Sequence, residues 1–251
     1  MKKLLELKNI SMKYQTLTDE ITAIDNLSLE CGEGEFLSII GPSGCGKTTV
    51  LSIIAGLIQP TSGEVLIEGK PMGKNSEELG YMLQKDQLFP WRTIEKNIFL
   101  PLEIKKINDL AHKNYALSLL RKYGLYEFRK NYPDQLSGGM RQRAALIRTL
   151  ASSPKLLLLD EPFSALDYQT RLSVCDDVYG IIKAESKTAV LVTHDISEAI
   201  SMSDIIVVLS DRPSKVKSVH KPIISGNSPL RKRESPDFSI WFEKIWKELN
   251  G

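Results

Sequence analysis

An α/β fold with a largely parallel, helix-covered sheet is what this sequence predicts, and three observations carry that expectation. Apolar runs of strand length alternate with helical patterns along most of the 251 residues. A glycine-rich loop, Gly41-Pro-Ser-Gly-Cys-Gly-Lys-Thr-Thr49, joins an apolar β-branched run to a helical pattern. A third run, Leu156-Leu-Leu-Leu159, ends in two acids, Asp160 and Glu161. With 42% hydrophobic and 25% charged residues, the chain can bury one α/β core and an inserted subdomain.

Taken in order, the first strong element is Phe36-Leu-Ser-Ile-Ile40, which leads directly into Gly41. The loop fits G-x-x-x-x-G-K-[ST], the phosphate-binding P-loop. Gly41, Gly44 and Gly46, with Pro42, Ser43 and Cys45 between them, let the backbone aim N–H groups at an anion. Thr48, Thr49, Val50, Leu51, Ile53, Ile54 and Leu57 continue as a buried helix whose N-terminal dipole favours that anion. Lys47 is placed to reach β- and γ-phosphates, and Thr48 to ligate Mg²⁺.

After the turn Thr61-Ser-Gly63, the stretch Glu64-Val-Leu-Ile-Glu-Gly69 reads as a strand. Residues 93–152 are helix-rich, and 88–133 form the core of an inserted helical part. Leu136-Ser-Gly-Gly-Met-Arg-Gln-Arg143 sets a second glycine pair before a run of good helix formers. Ser137, Gly138 and Gly139 therefore open a helix and form an anion site in their own right. Strands return at 156–160, 189–193 and 205–209. Alone, Asp160 and Glu161 are two solvated acids at a strand end; beside a P-loop, Asp160 becomes the Mg²⁺ partner and Glu161 the group that polarises water.

Other features set bounds. Net charge is +2, too near zero to imply nucleic acid. No apolar run approaches the ~20 residues needed to span a bilayer, and Glu6 and Lys8 interrupt any signal-like start. The expectation is a protein on the cytoplasmic side of the cell membrane, reaching it peripherally through partners. Cys31, Cys45 and Cys175 show neither metal spacing nor an even disulfide set. Cys175 shares a helical stripe with Leu172, Val178 and Ile182. Cys45 reads either as a small tolerated residue or as a thiol protected by bound nucleotide. In the tail, Phe238, Trp241, Phe242, Ile245 and Leu249 form an apolar stripe behind the basic cluster Arg231-Lys-Arg233. That helix packs back with its charges solvated, or meets a membrane surface or a membrane protein.

These motifs, in this order, resemble the ATP-binding subunit of ABC transporters over nearly the whole chain. Beside the P-loop, Tyr81-Met-Leu-Gln84 looks like the glutamine loop and Leu136-Ser-Gly-Gly-Met140 like the signature. Asp160-Glu161 is the acidic pair, Ser164-Ala-Leu-Asp167 resembles the D-loop, and His194 matches the switch histidine. The resemblance implies a P-loop NTPase core with a mainly parallel sheet, an N-terminal antiparallel β part and an inserted helical subdomain. Residues 1–87 and 153–230 would be the catalytic core, 88–152 the helical subdomain with the signature, and 231–251 a basic amphipathic tail.

It also implies roles. Tyr14 would stack on adenine, though alone it reads as an exposed aromatic. Gln84 would touch Mg²⁺ or the lytic water, Glu161 would polarise that water, and His194 would hold the γ-phosphate. Ser137, Gly138 and Gly139 would close in trans over nucleotide held by a second, identical subunit. Asp167, by itself a helix cap, would cross the same interface. Leu88-Phe-Pro-Trp91 lies where the family receives a permease's coupling helix, and its aromatics read as interface or core. The implied set is ATP, Mg²⁺, permease subunits and, indirectly, a solute-binding protein. Leu88–Trp91 taken with residues 137–143 looks like the nitrate, sulfonate and taurine import branch. A soluble ABC ATPase of DNA repair or translation is the alternative, and a P-loop kinase would leave the signature and His194 unexplained.

Overall fold

The computed structural model describes residues 2–15, 19–72 and 78–250. Met1 and Gly251, the outer bounds drawn from the sequence, lie outside the described residues. Two sheets form the body. The first is antiparallel, with spatial order β2-β1-β4-β5. It comprises β1 (Lys3–Gln15), β2 (Glu20–Gly32), β4 (Ser62–Ile67) and the short β5 (Lys70–Pro71). The second runs β10-β9-β3-β8-β7-β6. Its members are β3 (Phe36–Ile40), β6 (Leu79–Met82), β7 (Leu156–Asp160), β8 (Thr188–Val192), β9 (Ile205–Leu209) and β10 (Val216–His220). Only β10 runs antiparallel in it, paired with β9.

The strands predicted over 36–40, 156–160 and 205–209 match β3, β7 and β9, while the one expected over 189–193 begins and ends one residue earlier. Just past its end, Thr193 still donates from N to Ile39 O at 3.3 Å, and its hydroxyl donates to Glu198 Oε2 at 2.6 Å.

Each central strand is buried on both faces, as its continuous apolar run requires. The period of two splits β7 cleanly. Leu157 and Leu159 join one core with Ile94, Ile98, Leu119, Leu146 and Ile182. Leu156 and Leu158 join another with Leu5, Ile24, Val50 and Ile54. The first core lies under helices α2 (Ile94–Ile104), α3 (Leu110–Lys122), α4 (Gly138–Leu150) and α5 (Tyr168–Ala184). The second is roofed by α1 (Lys47–Ile54) and the antiparallel sheet. Cys175 is buried in the first core, as its stripe predicts.

A third, smaller core joins Ile40, Ile206 and Val208 to α6 (Ile196–Met202) and to the final helix, α8 (Pro236–Asn250). Ile245 is fully buried there, with Phe238, Trp241, Phe242 and Leu249 packed around it. Ser218 and His220 of β10 clasp the helix through Glu248, at 2.6 Å and 2.9 Å. The apolar stripe therefore packs back on the domain, but the expectation of solvated tail charges needs correction. Arg231 is exposed and paired with Glu234 at 2.9 Å. In contrast, Lys232 sits over the Tyr179 ring at 5.2 Å, and Arg233, in α7 (Pro229–Arg233), has buried Nε and Nη2 atoms. Burial holds the Lys232 ammonium below its ordinary pKa.

Candidate active site

The carboxyl ends of β3, β7 and β8 lie side by side, because Ile39 and Asp160 both register with Val192. The loops leaving these three strands are thereby brought to one rim, the usual ligand edge of a parallel sheet. After β3 comes the glycine loop. Gly44 and Gly46 take φ of 73° and 114°, which side-chain-bearing residues rarely adopt. The loop ends at α1, whose first residue is Lys47. The Lys47 ammonium donates to the carbonyls of Gly41 and Pro42, both at 2.9 Å. A cleft of about 520 Å³ opens over it, lined by Ser43, Gly44, Gly46, Lys47, Thr48, Thr49, Glu161, His194 and Arg212.

Asp160 ends β7 nearly buried. Thr48 Oγ1 donates to its Oδ1 at 3.4 Å and the Tyr81 hydroxyl to its Oδ2 at 3.3 Å. Burial pushes the Asp160 carboxyl above its ordinary pKa, against those two hydrogen bonds. The same burial, with Asp160 beside it, pushes the Tyr81 hydroxyl up to about 12.

Glu161 has a left-handed backbone, φ 44°, uncommon and strained for a residue with a side chain. Its N–H donates to Val192 O at 2.8 Å, and Ser164 donates to its carbonyl from N at 3.2 Å and from Oγ at 3.0 Å. The kink turns the carboxylate onto the rim. There Oε2 lies 3.2 Å from His194 Nδ1 and accepts from Gln84 Nε2 at 3.3 Å. Gln84 also donates to Ser164 Oγ at 3.2 Å. Three residues separated by 77 and 33 positions thus meet on one carboxylate.

His194 is held from behind. Asp195 N–H donates to Thr193 Oγ1 at 3.0 Å, and Asp195 caps α6 by accepting from Ser197 N at 2.7 Å and Glu198 N at 3.2 Å. Glu198 is 3% exposed, and burial pushes its carboxyl up to about 7.

The remaining predicted residues lie elsewhere. Tyr14 is exposed on β1 opposite Ile21 and does not line the cleft. Nor do Gly41, Pro42 or Cys45. The Cys45 side chain turns into the core at 2% exposure, where burial raises its thiol pKa. The protein covers that thiol by itself, so the reading of a thiol shielded by nucleotide is corrected. Ser137 caps α4, accepting from Met140 N at 3.3 Å. A Cβ at Gly139 would come within 2.9 Å of Val174 Cγ2, so the glycine also lets α4 close on α5. Ser137, Gly138 and Gly139 line no part of this chain's own cleft. Asp167 caps α5, accepting from Thr170 N at 3.0 Å, and hydrogen bonds from Thr170 lower its pKa.

Leu88-Phe-Pro-Trp91 divides between the two readings. Leu88 is buried in the core, while the Phe89 and Trp91 rings are exposed and stacked at 5.0 Å. The loop hangs on buried Asn97, which accepts from Phe89 N at 2.7 Å and donates to the carbonyls of Phe89, Arg92 and Thr93. It is tied to α4 by Arg148, which donates to Asp86 O at 2.7 Å and Gln87 O at 2.6 Å. Asn97, Arg148 and Glu198 carry no local signal in the sequence. Arg212, also absent from the sequence-based set, follows β9, and the pairing of β9 with β3 brings it to the cleft. Among the described residues no cluster of His, Cys, Asp and Glu is built to hold a metal ion alone. Thr48, Asp160 and Gln84 offer hard oxygen donors, which suit Mg²⁺ arriving with phosphates.

Residues 24–164 match the family model described as ABC transporter. The chain is 49% identical over 249 residues to the uncharacterized ABC transporter ATP-binding protein YtlC of Bacillus subtilis, covering 98% of this chain and 96% of that protein. It is 37% identical over 245 residues to the aliphatic sulfonates import ATP-binding protein SsuB of Bacillus cereus, covering 98% and 95%. The dimeric post-hydrolysis structure of the ATP-binding cassette MJ0796 bound to ADP and Pi aligns with TM-score 0.71 at 32% identity, over 87% of this chain and 98% of that one. A second dimeric MJ0796 structure, a bacterial ABC transporter cassette, gives 0.74 at 35%, with the same coverage.

Glu198 generates a prediction about pH. Its folded pKa, about 7, lies above the ordinary 4.5, so the folded state binds the extra proton between those values. Stability from this group is present below pH ~4.5 and is lost as pH rises through ~7, on the order of 3 kcal/mol. Urea unfolding of the parent and of Glu198→Gln from pH 4.5 to pH 8 should show this loss in the parent alone. Parallel curves would rule Glu198 out as its source.

Proposed function

Because the chain belongs to the ABC transporter ATP-binding family, we propose that its cleft hydrolyses ATP to power solute import through a separate membrane permease. The observation that carries this is the meeting of Gln84 and His194 on the Glu161 carboxylate, at the lip of the Lys47 cleft. ATP lies with its phosphates on the loop from Gly41 to Thr49, and Tyr14 stacks on the adenine. Lys47 exchanges its two carbonyl partners for phosphate oxygens. Mg²⁺, held by Thr48 and Asp160 with Gln84 nearby, would neutralise charge on the phosphates. Glu161 accepts a proton from water as the new O–P bond forms and the bond to ADP breaks, while His194 orients the γ-phosphate. Products are ADP and phosphate.

Ser137, Gly138 and Gly139 do not line the cleft of their own chain. In this reading they cover the γ-phosphate bound to a second, identical copy, and Asp167 crosses the same interface. ATP then holds the pair shut. The dimeric cassettes to which the chain is similar support this arrangement. The division into a core of 1–87 and 153–230, a helical part of 88–152 and a tail of 231–251 belongs to the same reading.

Stacked Phe89 and Trp91 form the surface offered to the permease. Arg148 links that loop to the helix that carries the signature, so closure at the nucleotide is passed to the aromatic pair. Among the described residues no helix is long and apolar enough to cross a membrane. The protein would act peripherally, on the cytoplasmic side, with a solute-binding protein delivering cargo from outside. The cargo in this reading is a small anion of the sulfonate, nitrate or taurine type, and similarity to the aliphatic sulfonates import protein supports the sulfonate member.

Glu161→Gln should keep ATP affinity, lower turnover by at least about a hundredfold, and form an ATP-dependent dimer visible by size exclusion. A monomer with normal turnover would remove Glu161 from the chemistry. Ser137→Arg should abolish hydrolysis while leaving monomer ATP affinity within about threefold; an equal loss of ATP binding would place Ser137 in the cis site. For cargo, deleting the gene should stop growth on an alkanesulfonate as sole sulfur source and spare growth on sulfate. Undiminished sulfonate uptake would send the search to another anion.

A further inference from the structure

We infer that Arg212 is a further nucleotide-binding residue, its guanidinium meeting the phosphate chain held over Lys47. This rests on the proposed reading of the cleft as an ATP site and adds a residue to it.

The argument begins with topology. β9 pairs in parallel with β3, Ile40 standing opposite Val208. The chain leaving β9 therefore emerges beside the glycine loop that leaves β3, and Arg212 lies on that connection. The connection closes on itself: Ser210 N donates to Lys215 O at 3.0 Å, and Lys215 N donates to Ser210 Oγ at 3.0 Å. It is then fastened to the phosphate loop. Fully buried Ser214 donates from Oγ to Cys45 O at 2.7 Å and from N to Ala23 O at 3.0 Å, and accepts from Asp25 N at 3.0 Å. Lys215 adds an ion pair to Asp25 at 2.9 Å. Cradle and connection are one hydrogen-bonded unit, so Arg212 keeps a set place relative to the glycines.

The head group is in a different position from its anchored backbone. Arg212 lines the cleft with Ser43, Gly44, Lys47, Thr48 and Thr49. Among the described residues its side chain has no hydrogen bond or ion pair. The other groups of the cleft that carry charge are engaged: Lys47 by two carbonyls, Glu161 by Gln84 and His194. A planar guanidinium presents paired N–H donors that match two phosphate oxygens at once. A free, always-charged fork on a fixed support beside a phosphate cradle is suited to the polyphosphate.

The test is Mg-ADP binding by calorimetry, which avoids the ATP-driven dimer. Four proteins are compared: the parent, Arg212→Gln, Arg212→Lys and Lys47→Ala. Loss of one charge-assisted hydrogen bond predicts about tenfold weaker binding for Arg212→Gln, with an unchanged thermal midpoint. Arg212→Lys should recover only part of the affinity, most at low salt, because it restores the charge without the fork, and the gap between parent and Arg212→Gln should narrow as salt rises. If Arg212→Gln binds as the parent does while Lys47→Ala loses binding, Arg212 is only a solvated arginine and the inference is overturned alone. If Lys47→Ala also binds normally, the phosphate cradle itself is misassigned and both readings fall.

Discussion

The register of three parallel strands is the constraint on which the site depends. Hydrogen bonds that set Ile39 and Asp160 against Val192 bring a glycine loop, an acidic pair and a histidine to one line of backbone. These three groups are far apart in sequence, and the backbone itself carries each of them to the rim. A slip of one residue in β7 would turn Asp160 and the leucines before it to the opposite faces. The two cores divided by that strand oppose such a slip, since Leu157 and Leu159 serve one and Leu156 and Leu158 the other. Packing that stabilises the sheet therefore also aims the groups of the candidate site.

Much of this arrangement is legible in the sequence. Short, continuous apolar runs mark buried strands, and β3, β7 and β9 fall where those runs stand. The P-loop announces itself because its glycines are close together and its lysine comes directly after them. The tail stripe is legible for the same reason: its period is local. Features that the sequence hides depend on tertiary placement and follow no local period or motif. Nothing near Asn97 in the chain says that its amide will carry the loop of Phe89 and Trp91, and nothing near Glu198 says that it will be buried against the Thr193 hydroxyl. The basic cluster misleads in the same way. Its charge is visible, but the covering of Lys232 and Arg233 is a tertiary fact.

Two kinds of glycine use occur within the predicted motifs. In the P-loop the positive φ of Gly44 and Gly46 shapes a concave row of N–H groups. At the signature, Gly139 answers to packing, because a Cβ there would meet Val174. A purely local reading treats both as phosphate binders. The geometry gives the second a structural duty in addition to any role toward a partner's nucleotide, so substitutions there act on helix packing as well as on closure.

The ammonium of Lys47, folded back on the carbonyls of Gly41 and Pro42, has a consequence for the anions that the cradle admits. The two bonds brace the loop, but neutral carbonyls leave the positive charge of the ammonium in place. An anion that recruits this lysine in the proposed reading displaces both carbonyls, so the cradle gives up two internal bonds when it fills.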